Sequence, residues 1–152
     1  MAIQDLTRTE DVALTVDTDA YTAGDVVGGL ITVPMHSAGG GGRITDIYLT
    51  DAANQSEPYT IYIFRQKPTV IADDAAWPGT LAIGDLDKLI RKVSLAAAHY
   101  TAINSLGWAH IPDLEINFQI TDGNLYFYLV AVETPDYAAA GDVKLHVTAL
   151  LN

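Results

Sequence analysis

The four consecutive glycines at residues 39–42 invite the first chemical reading, because glycine-rich loops can cradle phosphate on their backbone N–H groups. Such a loop must lead into a helix N-terminus, usually with a Lys-Ser/Thr pair. Here Arg43-Ile44-Thr45-Asp46-Ile47 follows with the pattern of a strand, so a flexible connection fits better. Asp17, Asp19 and Asp25 suggest a calcium loop, but the EF-hand spacing fails at Tyr21 and no glutamate closes the set. They fit turn aspartates, and Asp73-Asp74 and Asp85-x-Asp87 fit loop and cap positions, with Asp85 placed to cap a short helix. His36, His99, His110 and His146 share no metal-ligand spacing, and His146 falls on the polar side of an alternating run. None of Ser37, Ser56, Ser94 and Ser105 stands in a Gly-x-Ser-x-Gly elbow. Glu115 with an Asp on a neighbouring strand could form the carboxylate pair of a glycosidase, and Trp77 or Trp108 could stack on sugar rings. With no cysteine there is no thiolate, disulfide or zinc-finger chemistry. The reading is of a chain without a catalytic residue, a metal site or a cofactor.

The elements that would position these residues are short and β-like. Fifteen of the nineteen acids are Asp, which favours turns and caps, while Glu and Lys number four each, too few for long surface helices. Fifteen Thr and eight Tyr, most in alternating runs, point to strands. Strands are expected at residues 12–16, 26–33, 43–50, 59–65, 91–95, 114–120, 125–132 and 143–151. Gly28 and Gly29 inside the second run mark a bulge or a close backbone approach. Residues 68–79 read as irregular, 84–90 as one or two helical turns, and 99–110 as a loop in which a short helical turn is an option. Thr121-Asp122-Gly123-Asn124 carries the Asp-Gly signal of a hairpin. About eight strands at even spacing predict an all-β, antiparallel β-sandwich, jelly-roll-like, with one short helix. Residues 1–11 read as an N-terminal arm and 12–152 as a single sandwich domain.

The run at 125–132 has no polar side: Leu125, Phe127, Leu129 and Ala131 alternate with Tyr126, Tyr128, Val130 and Val132. Two covers are open to its second face, the chain's own loops or a subunit interface, where aromatic residues are enriched. Residues 59–64 have the same character. The candidate interface residues are therefore Tyr126, Tyr128, Val130 and Tyr62.

The formal charge of −11 argues against nucleic acid as a partner, since cations must displace counterions from phosphates. No apolar run approaches the ~18 residues of a membrane span, and residues 1–5 do not start like a signal peptide, so no membrane partner and a cytoplasmic synthesis are expected.

The ordered set of local signatures resembles the small head decoration, or cement, proteins of tailed bacteriophages. The pieces are residues 17–28 (Asp-Thr-Asp-Ala-Tyr-Thr-Ala-Gly-Asp-Val-Val-Gly), the glycine loop leading into 44–51, and Ile63-Phe64 followed by Lys67-Pro68-Thr69. Residues 72–77, 83–90, 125–131 and 142–145 complete the set. Trp77-Pro78-Gly79 and Arg91-Lys92 depart from the commoner form. The resemblance implies a sandwich subunit that binds the major capsid protein on the outer surface of the virion shell, often as a homotrimer, and stabilises it. A carbohydrate-binding module of a tail fibre or secreted enzyme is the alternative, and a weak hydrolase using Glu115 is a third.

Overall fold

In a computed structural model, which describes residues 6–36 and 38–152, two antiparallel sheets pack face to face. The strands are β1 (Leu6–Ala13), β2 (Val26–Pro34), β3 (Gly41–Asp51), β4 (Tyr59–Phe64) and β5 (Leu89–Leu95), then β6 (Tyr100–Ile103), β7 (Leu106–Ile111), β8 (Ile116–Gln119), β9 (Asn124–Ala131) and β10 (Val143–Leu151). A single turn of helix, α1 (Ile83–Leu86), precedes β5. The six-stranded sheet runs β1-β10-β3-β7-β6, with β8 also on β3, and the four-stranded sheet runs β2-β9-β4-β5. Set the β6–β7 hairpin aside and the remaining strands, counted in chain order, read 1-8-3-6 against 2-7-4-5. That is the double Greek key of a jelly roll.

Alternation along each strand aims one apolar set into the space between the sheets. Ile47, Leu49, Leu145, Val147 and Ala149 from one sheet meet Ile61, Ile63, Leu125, Phe127 and Leu129 from the other, all fully buried. Two bulges adjust that alternation. On β3 the register with β10 shifts after Thr148, so Ile44 and Ile47 both face inward although three residues apart. On β2 the shift falls between Val27 and Ile31. Gly28 there has φ +79°, and a Cβ on it would meet the Leu14 side chain at 2.8 Å, so only glycine fits.

The sandwich is as expected, and several elements are not. β1 starts at Leu6 and pairs with β10 along its whole length, so residues 6–11, drawn as an arm, lie in the sheet; residues 1–5 lie outside the described residues. The strand ends at Ala13 instead of Val16, and Leu14 and Val16 turn inward to plug the end of the core. Residues 99–110 are not a loop but mostly the β6–β7 hairpin. Its two-residue turn places Asn104 and Ser105 at φ +50° and +68°, the primed geometry that glycine usually announces, and no glycine is there. Thr121-Asp122-Gly123-Asn124 does turn the chain, but β8 pairs with β3 while β9 pairs with β2 and β4. The turn is an inter-sheet corner, not a hairpin. Asp85 lies inside α1 and does not cap it; Ala82 holds that place without a side-chain bond.

At one end of the core Tyr59 and Tyr137 share a hydroxyl hydrogen bond, and Tyr100 lies beside them with its hydroxyl buried and unpartnered. One carboxylate oxygen of Glu57 is also buried without a partner. Desolvation first, then the charges of Glu133 and Asp51, push the Glu57 carboxyl above its usual value. A carboxylate whose folded value is raised costs stability at neutral pH and regains it as pH falls toward the unfolded value. Glu57→Gln should therefore raise the melting temperature at pH 7 by a few degrees, the shift that about 1 kcal/mol gives in a domain of this size. The gain should vanish near pH 4 in parallel thermal melts.

Candidate functional site

Each sheet has an outer face, and the two are used differently. On the four-stranded sheet, β9 turns Tyr126 and Tyr128 outward beside Phe64 and Val26, forming a second apolar cluster. Residues 65–88 cross over this cluster. Trp77 stacks on Tyr62 with ring centroids 4.3 Å apart and meets Tyr128 edge-on at 5.2 Å. The Ile71 N–H donates to the Tyr128 hydroxyl at 3.0 Å, and that hydroxyl donates to the Thr69 carbonyl at 2.7 Å. The Tyr126 hydroxyl donates to the Asp122 carboxylate at 2.5 Å. Of the four candidate interface residues, Tyr126, Tyr128 and Val130 are therefore buried by their own chain, and Tyr62 is half-buried under Trp77. Of the two covers open to this face, the structure uses the chain's own loop.

Two carboxylates of the loop fasten it, Asp73 to the rest of the fold and Asp85 within itself. Asp73 accepts from the Gly28 N–H at 2.6 Å and from the Tyr21 hydroxyl at 2.8 Å. Asp85 accepts from the Thr69 N–H at 3.0 Å and from Lys88, and these bonds hold its carboxyl below the usual range. Asp17 and Asp25 accept backbone N–H bonds from Asp19 and Thr22, as turn aspartates do. Among the described residues no three His, Asp or Glu side chains gather as metal ligands.

The outer face of the six-stranded sheet carries the chemistry that remains accessible. Cross-strand register lines up Lys144, Thr50, Trp108 and Thr101 in one row, and Asp11, His146, Tyr48 and His110 in the next. Tyr48 and His110 stack with centroids 4.3 Å apart and planes 3° from parallel, and Trp108 leans on both. Asp46 contacts His110 Nε2 at 2.9 Å. Asp11 contacts His146 Nδ1 at 2.6 Å, and His146 Nε2 lies 3.1 Å from the Thr50 hydroxyl. This carboxylate–imidazole–hydroxyl chain shares the connectivity of a nucleophilic triad. A triad also needs backbone N–H donors at the developing oxyanion. Thr50 sits in mid-sheet between β10 and β7, where the backbone amides serve the ladders. The chain therefore reads as a cross-strand network that ties β1, β10 and β3 together.

Beyond Trp108 the β6–β7 hairpin opens a cleft of about 450 Å³. Trp108, Ile103 and Leu106 form apolar walls, and Thr50, Asn104 and Lys144 supply polar groups. Trp108 thus has an open neighbourhood that Trp77 lacks. Nothing in the sequence pattern singled out this cleft, because the hairpin that forms it was not legible. Glu115 is exposed in a 3.6 Å ion pair with Arg43 and shares a depression of about 140 Å³ with Asp46 and Asp113. That depression has no aromatic wall on which a sugar could stack.

No family model matches the sequence, and no curated protein matches it. Solved structures that are loosely similar include the following two. The K3 cleaved adhesin domain of Lys-gingipain from Porphyromonas gingivalis w83 is 11% identical over 81% of this chain, with a TM-score of 0.34, and this chain spans 63% of its length. The native virion of Kashmir bee virus at neutral pH is 13% identical over 96% of this chain and 68% of that one, with a TM-score of 0.31. Likenesses this loose carry neither partner nor activity across.

Trp77 is the keystone of the cover over Tyr62 and Tyr128. Trp77→Ala should cost about 2–4 kcal/mol, somewhat less than a fully buried tryptophan, and raise binding of a hydrophobic dye as the tyrosines are bared. Denaturant titration together with dye fluorescence checks both.

Proposed function

We propose that this chain is a structural virion protein without catalytic function, a decoration subunit that binds the major capsid protein on the outer surface of a phage head and reinforces the shell. The supporting observation is the β6–β7 hairpin. It is added to the jelly roll, widens one sheet, and lays Ile103 and Leu106, each about half exposed, at the rim of the apolar cleft. Exposed apolar side chains at the rim of an apolar cleft are what a protein partner covers. The commitment of the Thr50 amides to the sheet fits a binding role better than acyl transfer. Copies engaging several capsid subunits would gain affinity by multivalency.

Cosedimentation with purified undecorated capsids tests the reading. The wild-type chain should pellet with the shells, and Ile103→Asp with Leu106→Asp should weaken binding tenfold or more while the circular dichroism spectrum stays native. A wild-type chain that stays in the supernatant at high micromolar concentration defeats the proposal.

Trp108 favours one other reading, recognition of a glycan. A pyranose ring would stack on the indole and hydrogen-bond to Thr50, Asn104 and Lys144 within the cleft. Under that reading, glycan titration shifts Trp fluorescence, and Trp108→Ala abolishes the shift while Trp77→Phe leaves it. No response to any glycan in a broad panel removes it.

A further inference from the structure

Charge is unevenly spread over the four-stranded sheet, whose two edges are β2 and β5. Arg65, Lys67, Lys88, Arg91 and Lys92, five of the eight Lys and Arg, lie on β5 or on the chain flanking it and β4. Between residues 65 and 92 they face four acids, a balance of +1; the rest of the chain has three bases and fifteen acids, a balance of −12. Lys88 is tied to Asp85 at 3.2 Å. Arg65 donates to the Asp87 carbonyl at 2.6 Å. Among the described residues no ion pair engages Arg65, Lys67, Arg91 or Lys92, and all four are exposed.

The opposite edge is acidic. The covering segment reaches β2 through the Asp25–Ala76 bridge and the bond from the Asp74 N–H to the Val26 carbonyl, and Asp73 is held there by Gly28 and Tyr21. This gathers Asp17, Asp19, Asp25, Asp73 and Asp74 on the β2 side. Asp74 is exposed, and partial desolvation with the charges of Asp25, Asp17, Asp73 and Asp19 raises its carboxyl above the usual value. The acids repel one another, and among the described residues no ion pair engages them.

We propose that the β5 edge of one copy of this chain docks on the β2 edge of the next, in a head-to-tail contact. The inference deepens the decoration reading above, on which the need for self-association rests, and it places the subunit contact away from Tyr126 and Tyr128. A two-fold contact through either edge would set like charge against like, whereas a head-to-tail contact pairs opposite charges in every copy. Such a contact repeats, and closes into a ring where the rotation permits. Ile83 and Leu86, exposed at 81% and 47% on the helical turn that leads into β5, supply apolar surface for its centre.

Light scattering on a sizing column, at high micromolar protein and at low and high salt, reads the contact. The wild-type chain should exceed monomer mass at low salt and fall toward it as salt rises. Arg91→Glu with Lys92→Glu should be monomeric, and so should Asp19→Lys with Asp74→Lys, each with native near-ultraviolet circular dichroism. An equimolar mixture of the two variants should associate again, because each now complements the other. A wild-type monomer at low salt, or two variants that do not associate when mixed, overturns the inference. Capsid cosedimentation separates the two proposals: a monomeric Arg91→Glu/Lys92→Glu variant that still pellets with shells supports decoration independently, and a wild-type oligomer that ignores shells supports this contact alone.

Discussion

Strand β9 has no polar face, and the rest of the molecule is arranged around covering it twice. From Leu125 to Ala131 every residue is buried. Its inner side meets the six-stranded sheet across the core. Its outer side would expose Tyr126 and Tyr128, and burying side chains of that size is worth roughly 1.5–3 kcal/mol each. The chain covers them with residues 65–88, the longest connection between strands, and β9 lies between β2 and β4, where both its edges are paired.

Keeping that cover in place is a polar problem. A segment lying on a sheet brings backbone N–H and C=O groups with it, and those that lose water must find partners. Tyr128 of β9 takes the Ile71 N–H, Asp85 takes the Thr69 N–H within the segment, and Asp73 reaches out to the Gly28 N–H of β2. Each fixes one place along the segment, and Trp77 fills the gap over Tyr62. Asp73 and Asp85 are thus fasteners in this part of the chain.

Surplus aromatic area in one sheet and open aromatic area in the other have different consequences. The tyrosines of β9 stabilise the monomer. The row of Tyr48, Trp108 and His110 sits on an exposed sheet face, braced by Asp46 and by the Asp11–His146–Thr50 network, and borders a cleft made by an inserted hairpin. Rigid rings beside a cleft form a surface already organised for a partner, which lowers the entropy lost on binding.

The sequence by itself determined the class of fold and most of its strands, since period-two alternation in residues 143–151 or 114–120 leaves only one face to bury. It also determined the bulge at Gly28, because glycine in a strand announces close approach. It left open whether the second face of β9 meets a loop or another subunit, because a strand records that both sides are apolar and not what covers them. It gave no sign of the β6–β7 hairpin, whose turn uses Asn104 and Ser105 in place of glycine. Nor could it separate the Asp122–Gly123 turn as corner or hairpin, since local turn chemistry reverses the chain without choosing the sheet. Those choices, and with them the cleft beside Trp108 and the gathering of acids beside β2 opposite the bases of β5, were decided only by tertiary structure, because register and sheet order bring together residues far apart in the chain.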